Sequence, residues 1–274
     1  MLAYPVSDKP IDYTKPVFIQ PKLDGVRCLI QYDNNKVTAY SRTGKVWKNI
    51  EHILEELAPW FKNNQKIVLD GELYNHDLRD DFEQIISIVR RQTPDDIDML
   101  NSREMVQFHC YDIIHEDNDT FESRNSFIEN CLPESYCVKH VSTHLIFRED
   151  DAKVYHNRNL NKGYEGSIVR TNDVYQCKRS HSLRKFKDFH DTEALLVDWV
   201  EGKGKRVGTI GKFMAMDKDK NIFGMPVMDK FKYLQDNFEE MKTWVGKVAT
   251  FTYFERTKAG SYRLPLFKCI RNYE

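Results

Sequence analysis

The chain changes its pattern of hydrophobic residues near residue 190, and this change limits the folds that it can adopt. Before that point, strand-like stretches such as 66-KIVLDGEL-73 alternate with segments of helical spacing such as 49-NIEHILEELAPWFK-62, where Asn49 is the expected N-cap. After it, short strand-like stretches surround one helix-like segment, 227-VMDKFKYLQDNFEEMKTWV-245. The pattern predicts an α+β domain over residues 1–188 and a small β-barrel of the OB type over residues 189–274.

Composition excludes several classes of protein. No run of about 18 apolar residues occurs, so we expect no membrane span. The N-terminus, MLAYPVSDKP, has no basic segment followed by an apolar one, which argues against secretion. The six cysteines are scattered without a Cys-x-x-Cys pair, which favours reduced thiols over a zinc site or a disulfide framework. These features predict a protein of the cytoplasm or of another reducing compartment.

Local charge is more informative than the total. The net charge is −1, yet the stretch from Lys178 to Lys212 contains nine Lys or Arg and only five Asp or Glu. A neutral total can hide a basic face, and a polyanion responds to that face. A solvated surface without a partner is the alternative interpretation.

The stretch 20-QPKLDGVRCLI-30 contains the strongest chemical signal. Lysine has an ordinary pKa of about 10.4, and only its neutral amine is a nucleophile. Desolvation and nearby cations, such as Arg27 or a bound metal, would release that amine in Lys22. Gly25 allows the backbone to approach a phosphate closely. A surface strand with one turn is the alternative when the stretch is considered alone.

Lys-x-Asp-Gly-x-Arg resembles the first motif of the covalent nucleotidyltransferases, which include DNA ligases, RNA ligases and mRNA capping enzymes. Further segments resemble the later motifs of that superfamily, in the same order along the chain: 41-SRTG-44, 70-DGEL-73, 108-FHCYDI-113, 165-EGSIVR-170 and 183-LRKFK-187. The resemblance implies that Lys22 takes a nucleoside monophosphate as a phosphoramidate. It also implies a nucleotidyltransferase (adenylation) domain with antiparallel sheets and flanking helices, followed by the OB-fold.

The resemblance assigns roles residue by residue. The implied catalytic residues are Lys22, Asp24, Arg27, Lys185 and Lys187. The implied nucleotide-binding residues are Gln20, Lys22, Arg27, Arg42, Glu72, Tyr111, Glu165, Lys185, Lys187, Arg263, Lys268 and Arg271. Tyr111 would stack on the purine, with a core position as its alternative. Mg²⁺ or Mn²⁺ would be held by Asp24, Glu72 and Glu165, because hard cations prefer carboxylate oxygen.

The segment 263-RLPLFKCIR-271 resembles the sixth motif of ATP-dependent DNA ligases. Its basic residues would orient the β- and γ-phosphates as pyrophosphate leaves. The resemblance therefore implies ATP, a covalent lysyl-AMP intermediate and sealing of 5′-phosphate/3′-OH nicks in duplex DNA. An RNA ligase or an mRNA guanylyltransferase of the same superfamily is the alternative, and a catalytically inactive OB-containing nucleic-acid-binding protein is a further one.

Nicked double-stranded DNA is the expected partner. The residues expected to contact DNA phosphates are Arg42, Lys178, Arg179, Lys203, Lys205 and Arg206. Phosphate contacts position a protein on DNA without reading the base sequence, so we expect a nick in any sequence to be a substrate. We expect a monomer in a compartment that contains DNA, and the sequence is compatible with DNA replication, repair and recombination alike.

Overall fold

A computed structural model of the chain describes residues 1–115, 119–257 and 260–271. It divides into two compact units, Met1–Lys187 and Asp188–Glu274. Within the described ranges, no helix is both long and apolar enough to cross a membrane. The assignment of the units as a nucleotidyltransferase domain and an OB-type domain stays a prediction.

The first unit has a mixed α+β architecture. Its strands are β1 (Leu2–Pro5), β2 (Val17–Lys22), β3 (Val26–Asp33), β4 (Lys36–Ser41), β5 (Val68–Tyr74), β6 (Gln107–Ile114), β7 (Val138–His140), β8 (His144–Ile146), β9 (Gly166–Thr171) and β10 (Arg179–Phe186). Its helices are α1 (Glu51–Phe61), α2 (Phe82–Val89), α3 (Asp96–Met105), α4 (Phe121–Cys131) and α5 (Glu149–Asn161).

Two five-stranded sheets organise these strands. One has the order β1-β10-β9-β2-β8 and the other β4-β3-β5-β6-β7. Pairing is antiparallel except at two edges, where β1 runs parallel to β10 and β7 parallel to β6. The chain passes from the first sheet to the second between Lys22 and Val26. The Lys-x-Asp-Gly-x-Arg segment therefore lies at the junction of the two sheets.

The main core of this unit lies between the second sheet and its helices. Ile53, Leu57 and Phe61, spaced by four residues on α1, are fully buried there. Burying such a side chain stabilises the folded state by about 1.5–3 kcal/mol, and for this reason the spacing of apolar residues indicates the buried face of a helix. The prediction of Asn49 as N-cap is wrong: Ile50 is the N-cap of α1, and the Asn49 amide donates instead to the backbone carbonyl of Ile88 at 3.0 Å.

The second unit is built on one antiparallel sheet. Its elements are β11 (His190–Glu201), β12 (Ile210–Met216), β13 (Ile222–Pro226), α6 (Phe231–Asp236), α7 (Phe238–Lys242), β14 (Val248–Tyr253), β15 (Glu255–Arg256), β16 (Tyr262–Arg263) and β17 (Leu266–Ile270). The sheet order is β13-β12-β11-β14-β17. Leu196, Phe213 and Phe251 are fully buried in its core. In the described part of the chain no ladder joins β13 to β17, so the closed OB-type barrel stays a prediction.

The single helix predicted over residues 227–245 is wrong in its extent. Two short helices, α6 and α7, are divided at Asn237, whose φ of −104° and ψ of 11° are not helical. The Asn237 side chain donates to the backbone carbonyl of Tyr233 at 2.7 Å. A side-chain amide that bonds nearby backbone competes with the helical pattern, which accounts for the break.

Candidate active site

Lys22 lies where two neighbouring strands meet. It is the last residue of β2 and pairs with Gly166, the first residue of β9. The backbone N–H of Glu165 donates to the Lys22 carbonyl at 3.2 Å. The Glu165 carboxylate forms ion pairs with the ammonium groups of both Lys22 and Lys187. The Glu165 side chain is 3% exposed and that of Lys22 is 22% exposed, so a buried acid holds a partly accessible lysine.

Gly166 makes this arrangement possible. A Cβ at this position would lie 2.3 Å from the backbone oxygen of Phe186, and the φ of Gly166 is +148°. Only glycine combines such a close approach with this backbone conformation without strain. The glycine therefore allows Glu165 to lie next to the end of β10, from which Lys187 follows directly.

Lys185 lies two residues before Lys187 and is partly buried. Burial first, and then the charges of Lys22 and Arg179, lower the pKa of Lys185. Lys185 pairs with Ile168 on β9, and Ile168 pairs in turn with Gln20 on β2, two residues before Lys22. The strand register therefore brings Lys185 into the region of Lys22, and Lys187 shares the Glu165 carboxylate with it.

Glu72 approaches from the second sheet. It pairs in register with Arg27 on the adjacent strand β3, and a Cβ on Gly25 would lie 2.6 Å from its Cγ. Burial raises the pKa of Glu72 to about 8, and the charge of Asp24 acts in the same direction, whereas the charge of Lys22 lowers it. A cation bound next to this carboxyl would lower its pKa and favour the ionised form.

The three predicted metal ligands are not gathered into one cluster. Within residues 1–115, 119–257 and 260–271, no group of three or more His, Cys, Asp or Glu side chains is placed to hold a metal ion. The Glu165 carboxylate forms ion pairs with two lysines, whereas Glu72 is buried in the second sheet and packs beside Gly25, the residue that follows Asp24. Mg²⁺ usually takes only one or two protein carboxylates and completes its shell with phosphate and water. Binding of a metal ion by Asp24 and Glu72 stays a prediction.

A family model for the ATP-dependent DNA ligase domain matches residues 1–187. The chain belongs to this family. A DNA ligase of African swine fever virus is 29% identical over 212 residues, which are 73% of this chain and 48% of the viral protein. A DNA ligase of Halobacterium salinarum is 26% identical over 264 residues, which are 90% of this chain and 43% of that protein. The chain thus spans less than half the length of these two relatives.

A solved structure of a Lig E DNA ligase has the same fold as this ligase-family chain. The two superpose with a TM-score of 0.77 at 23% identity, covering 99% of this chain and 98% of the other. The likeness confirms the predicted α+β fold class with an adenylation-type fold, whereas the assignment of the second unit as an OB-type domain stays a prediction.

The sequence interpretation did not assign roles to several buried charges in the ligase domain. Asp112 is fully buried and forms ion pairs with Arg124 and Arg170, both at 2.7 Å. Asp70, also buried, pairs with Arg27 at 2.8 Å. A signal was present, because Asp112 and Arg170 each lie next to apolar residues of a strand, and charged residues are seldom buried unless paired.

Two residues that are predicted to bind the nucleotide form hydrogen bonds within the protein. Arg27 donates two hydrogen bonds to Asp70, at 2.9 and 2.8 Å, and one to the Met1 carbonyl at 2.9 Å. Gln20 is 2% exposed, and its amide donates to the Tyr111 carbonyl at 3.3 Å and to Thr143 at 2.9 Å. Direct contact of either side chain with a nucleotide or with DNA stays a prediction and would require some of these bonds to change.

The predicted DNA contacts lie on exposed loops and strand ends. Arg42 lies in the turn that follows β4, and Lys178 precedes β10. Arg179 is exposed as well, but its guanidinium donates to the Ala3 carbonyl at 2.5 Å. In the second unit the basic segment 203–206 lies between β11 and β12, where Arg206 is only partly exposed.

Each cation of the predicted sixth motif has an acidic partner within the second unit. Lys268 pairs with Asp191 at 2.5 Å. The remaining pairs of this kind are Arg263 with Glu255 and Arg271 with Glu193. The hydrogen bond to Asp191, and then the charge of that carboxylate, raise the pKa of Lys268, so this lysine is positively charged at neutral pH.

Proposed function

We propose that this chain is an ATP-dependent DNA ligase that seals 5′-phosphate/3′-OH nicks in duplex DNA through lysyl-AMP. The observation that carries the proposal is the position of Lys22 against Glu165 and Lys187, within a domain of the ligase family. The Lys22 side chain is accessible enough to meet a phosphate, and the second lysine on Glu165 brings a cation close, which favours the neutral, nucleophilic amine.

In the first step, the Lys22 amine attacks the α-phosphorus of ATP. A P–N bond forms, the P–O bond to the β-phosphate breaks, and pyrophosphate leaves. Lys22 must first lose a proton, and the Glu165 carboxylate is its hydrogen-bond acceptor. Lys185 and Lys187 would then oppose the charge on the α-phosphate oxygens. Such fixed cations stabilise a phosphoryl-transfer transition state, in which positioning and charge matter most.

Mg²⁺ or Mn²⁺, when bound by Asp24 and Glu72, would neutralise phosphate charge and favour departure of pyrophosphate. Glu165 is better suited to orient the two lysines than to ligate a metal, because both of its oxygens already face ammonium groups.

The later steps use the bound AMP. The 5′-phosphate of the nick takes AMP from Lys22, and the 3′-OH then displaces AMP and joins the strand. The exposed basic residues of the first unit, Arg42 and Lys178, and the segment 203–206 of the second would hold the DNA backbone. Cations that neutralise phosphates make binding depend steeply on salt. We expect the chain to act as a monomer where DNA is present.

Retention of labelled nucleotide tests the proposal. After incubation with α-labelled ATP or GTP, the protein should retain AMP and no GMP, and Lys22→Ala should retain neither. Lys153→Ala is the matched control, because that lysine is exposed and pairs with Glu149 and Asp150 of its own helix. Retention of GMP would indicate a guanylyltransferase.

Sealing assays separate the remaining candidates. With ATP and Mg²⁺, the protein should seal nicked DNA duplexes. A preference for RNA strands would favour an RNA ligase. Correct folding without any labelled protein and without sealing would favour a non-catalytic nucleic-acid-binding protein.

A further inference from the structure

A buried arginine lies beside the ring of Tyr111. Arg170, on β9, is 4% exposed. Its guanidinium carbon is 5.5 Å from the centre of the Tyr111 ring and 4.7 Å from the centre of the Phe121 ring. A guanidinium within about 6 Å of an aromatic ring is attracted to it, and the attraction strengthens when water is excluded. Arg170 can therefore restrict the movement of both rings.

The same arginine is also linked to the backbone of Tyr111. Arg170 Nε donates to the Gln20 side-chain oxygen at 2.7 Å. The Gln20 amide in turn donates to the Tyr111 carbonyl at 3.3 Å. One guanidinium thus acts on the ring of Tyr111 directly and on its backbone through Gln20.

Arg170 is not needed merely to neutralise Asp112. Arg124 already forms two hydrogen bonds to that carboxylate, at 2.7 and 3.2 Å, and Arg170 adds a second cation at 2.7 Å. Burying a charge has a desolvation cost, so a second arginine on one carboxylate calls for a separate reason. The two arginines also differ in their neighbours. The guanidinium carbon of Arg124 is 5.7 Å from the centres of the Phe121 and Tyr175 rings, whereas that of Arg170 lies near Tyr111 and Phe121.

We propose that Arg170 is a positioning residue for the purine of ATP: it fixes the Tyr111 ring in the orientation in which the base stacks on it. The inference rests on the proposed function. Tyr111 itself is only partly buried, so part of its side chain remains accessible to a ligand. A ring that is already ordered gives up less conformational freedom when a base binds, which strengthens binding.

Arg170→Lys tests the inference. Lysine keeps the positive charge for Asp112 but lacks the planar fork that reaches Gln20 and Asp112 together. We expect the KM for ATP in lysyl-AMP formation to rise about five- to thirtyfold, because a desolvated cation–π contact and its links are lost. The maximal rate should change less than about twofold, since the contact is made equally in the complex with bound ATP and in the transition state. Inhibition by inorganic tripolyphosphate, which has no base, should be unchanged.

Arg124→Lys is the matched control, because it alters the other partner of Asp112 without touching Tyr111 or Gln20. We expect it to lower the thermal unfolding midpoint as Arg170→Lys does, while the KM for ATP stays at the wild-type value. Equal KM values in both variants would overturn the inference, as would a parallel loss of tripolyphosphate inhibition in Arg170→Lys.

Gln20→Met is the second variant if Arg170→Lys does not fold. It removes the link to the Tyr111 carbonyl but retains the ion pair between Arg170 and Asp112, so it should raise the KM for ATP in the same direction by a smaller factor. An unchanged KM would then overturn the inference. Failure of the wild-type protein to retain AMP at all would instead refute the proposed function, so the two failures are distinguishable.

Discussion

Lys22 and Glu165 are joined twice, by an ion pair between their side chains and by a 3.2 Å hydrogen bond from the Glu165 N–H to the Lys22 carbonyl. The backbone bond fixes the distance between the two strands, and the ion pair fixes the direction of the lysine side chain. The sheet itself therefore positions both the acid and the nucleophile.

Glu165→Gln should slow the formation of lysyl-AMP by about a hundredfold, because the variant loses the acceptor for the Lys22 proton and the charge that orients two lysines. The rate is measured in a single turnover with labelled ATP. Glu149→Gln is the control, since Glu149 is exposed and pairs with Lys153 on its own helix. Comparable rates for both variants would contradict the role of Glu165.

Glu72 should make stability depend on pH. Its pKa is raised by burial from the ordinary 4.5 to about 8, so the folded state keeps a proton that the unfolded state has lost. The contribution of Glu72 to the free energy of unfolding therefore falls as pH rises through that window. Urea unfolding at about pH 5 and about pH 9 should show that Glu72→Gln removes roughly 1–3 kcal/mol of this decline.

The control for that measurement is Glu104→Gln, since Glu104 is exposed on α3. It should leave the pH dependence of unfolding as in the wild type. An identical decline in the Glu72→Gln protein would show that other groups cause it.

Gly166→Ala should lower the free energy of unfolding by about 2–4 kcal/mol, because a methyl group would collide with the Phe186 carbonyl at a backbone angle that alanine avoids. Chemical denaturation measures the change. Gly44→Ala is the control: its φ is also positive, at +79°, but nothing lies within 4 Å of the added carbon. Gly44→Ala should cost only about 1 kcal/mol, and an equal loss in both variants would argue against a steric role for Gly166.

The part of the fold and site that sequence could predict is the part with a strong local signal. The spacing of Ile53, Leu57 and Phe61 specified α1, and the alternation around Lys185 placed two basic residues at a strand end. Helices α3 and α5 were not predicted, because few of their residues are apolar and few are buried. Helix α3 is stabilised instead by a capping box between Asp95 and Asp98.

The buried charge network could not be deduced from local sequence. Asp112 and Arg170 are 58 residues apart, and their contact depends on how β6 and β9 are placed by separate sheets. Sequence pattern can show that a charge interrupts an apolar strand, but it does not identify the partner. The hydrogen-bond partners of the Gln20 amide, Tyr111 and Thr143, are likewise 91 and 123 residues away along the chain and could not be deduced from local sequence.

Lys268→Ala combined with Arg271→Ala should slow lysyl-AMP formation about tenfold or more, because both cations would face the departing pyrophosphate. Sealing of a nick that already carries AMP on its 5′-phosphate should be nearly unaffected. Lys242→Ala, which breaks a pair with Glu239 in the same unit, is the control. If sealing of the adenylated nick fell in proportion, the two cations would instead act on DNA.

Neutralising the segment 203–206 should reduce the salt dependence of DNA binding. Replacing Lys203, Lys205 and Arg206 by alanine should lower the slope of log K against log salt by roughly 2–3, because each phosphate contact contributes about 0.9. Binding to a nicked duplex is measured by anisotropy between about 50 and 200 mM salt. An unchanged slope would exclude the segment from the DNA interface.

A charge-matched control is available in the same unit. Alanine at Lys218, Lys230 and Lys232 removes as many positive charges from other exposed positions. If that variant lowered the slope equally, net charge would be responsible and no local contact could be inferred for the segment 203–206.

The passage of the chain between the two sheets has a consequence for how this sequence can vary. Lys22 ends β2 in one sheet, and Val26 begins β3 in the other, so the residues between them must span a fixed gap. One inserted or deleted residue would turn the side chains of one strand to its opposite face. The length of this segment is therefore constrained separately from its chemistry: a substitution changes one side chain, whereas an insertion or a deletion changes the register of a whole strand.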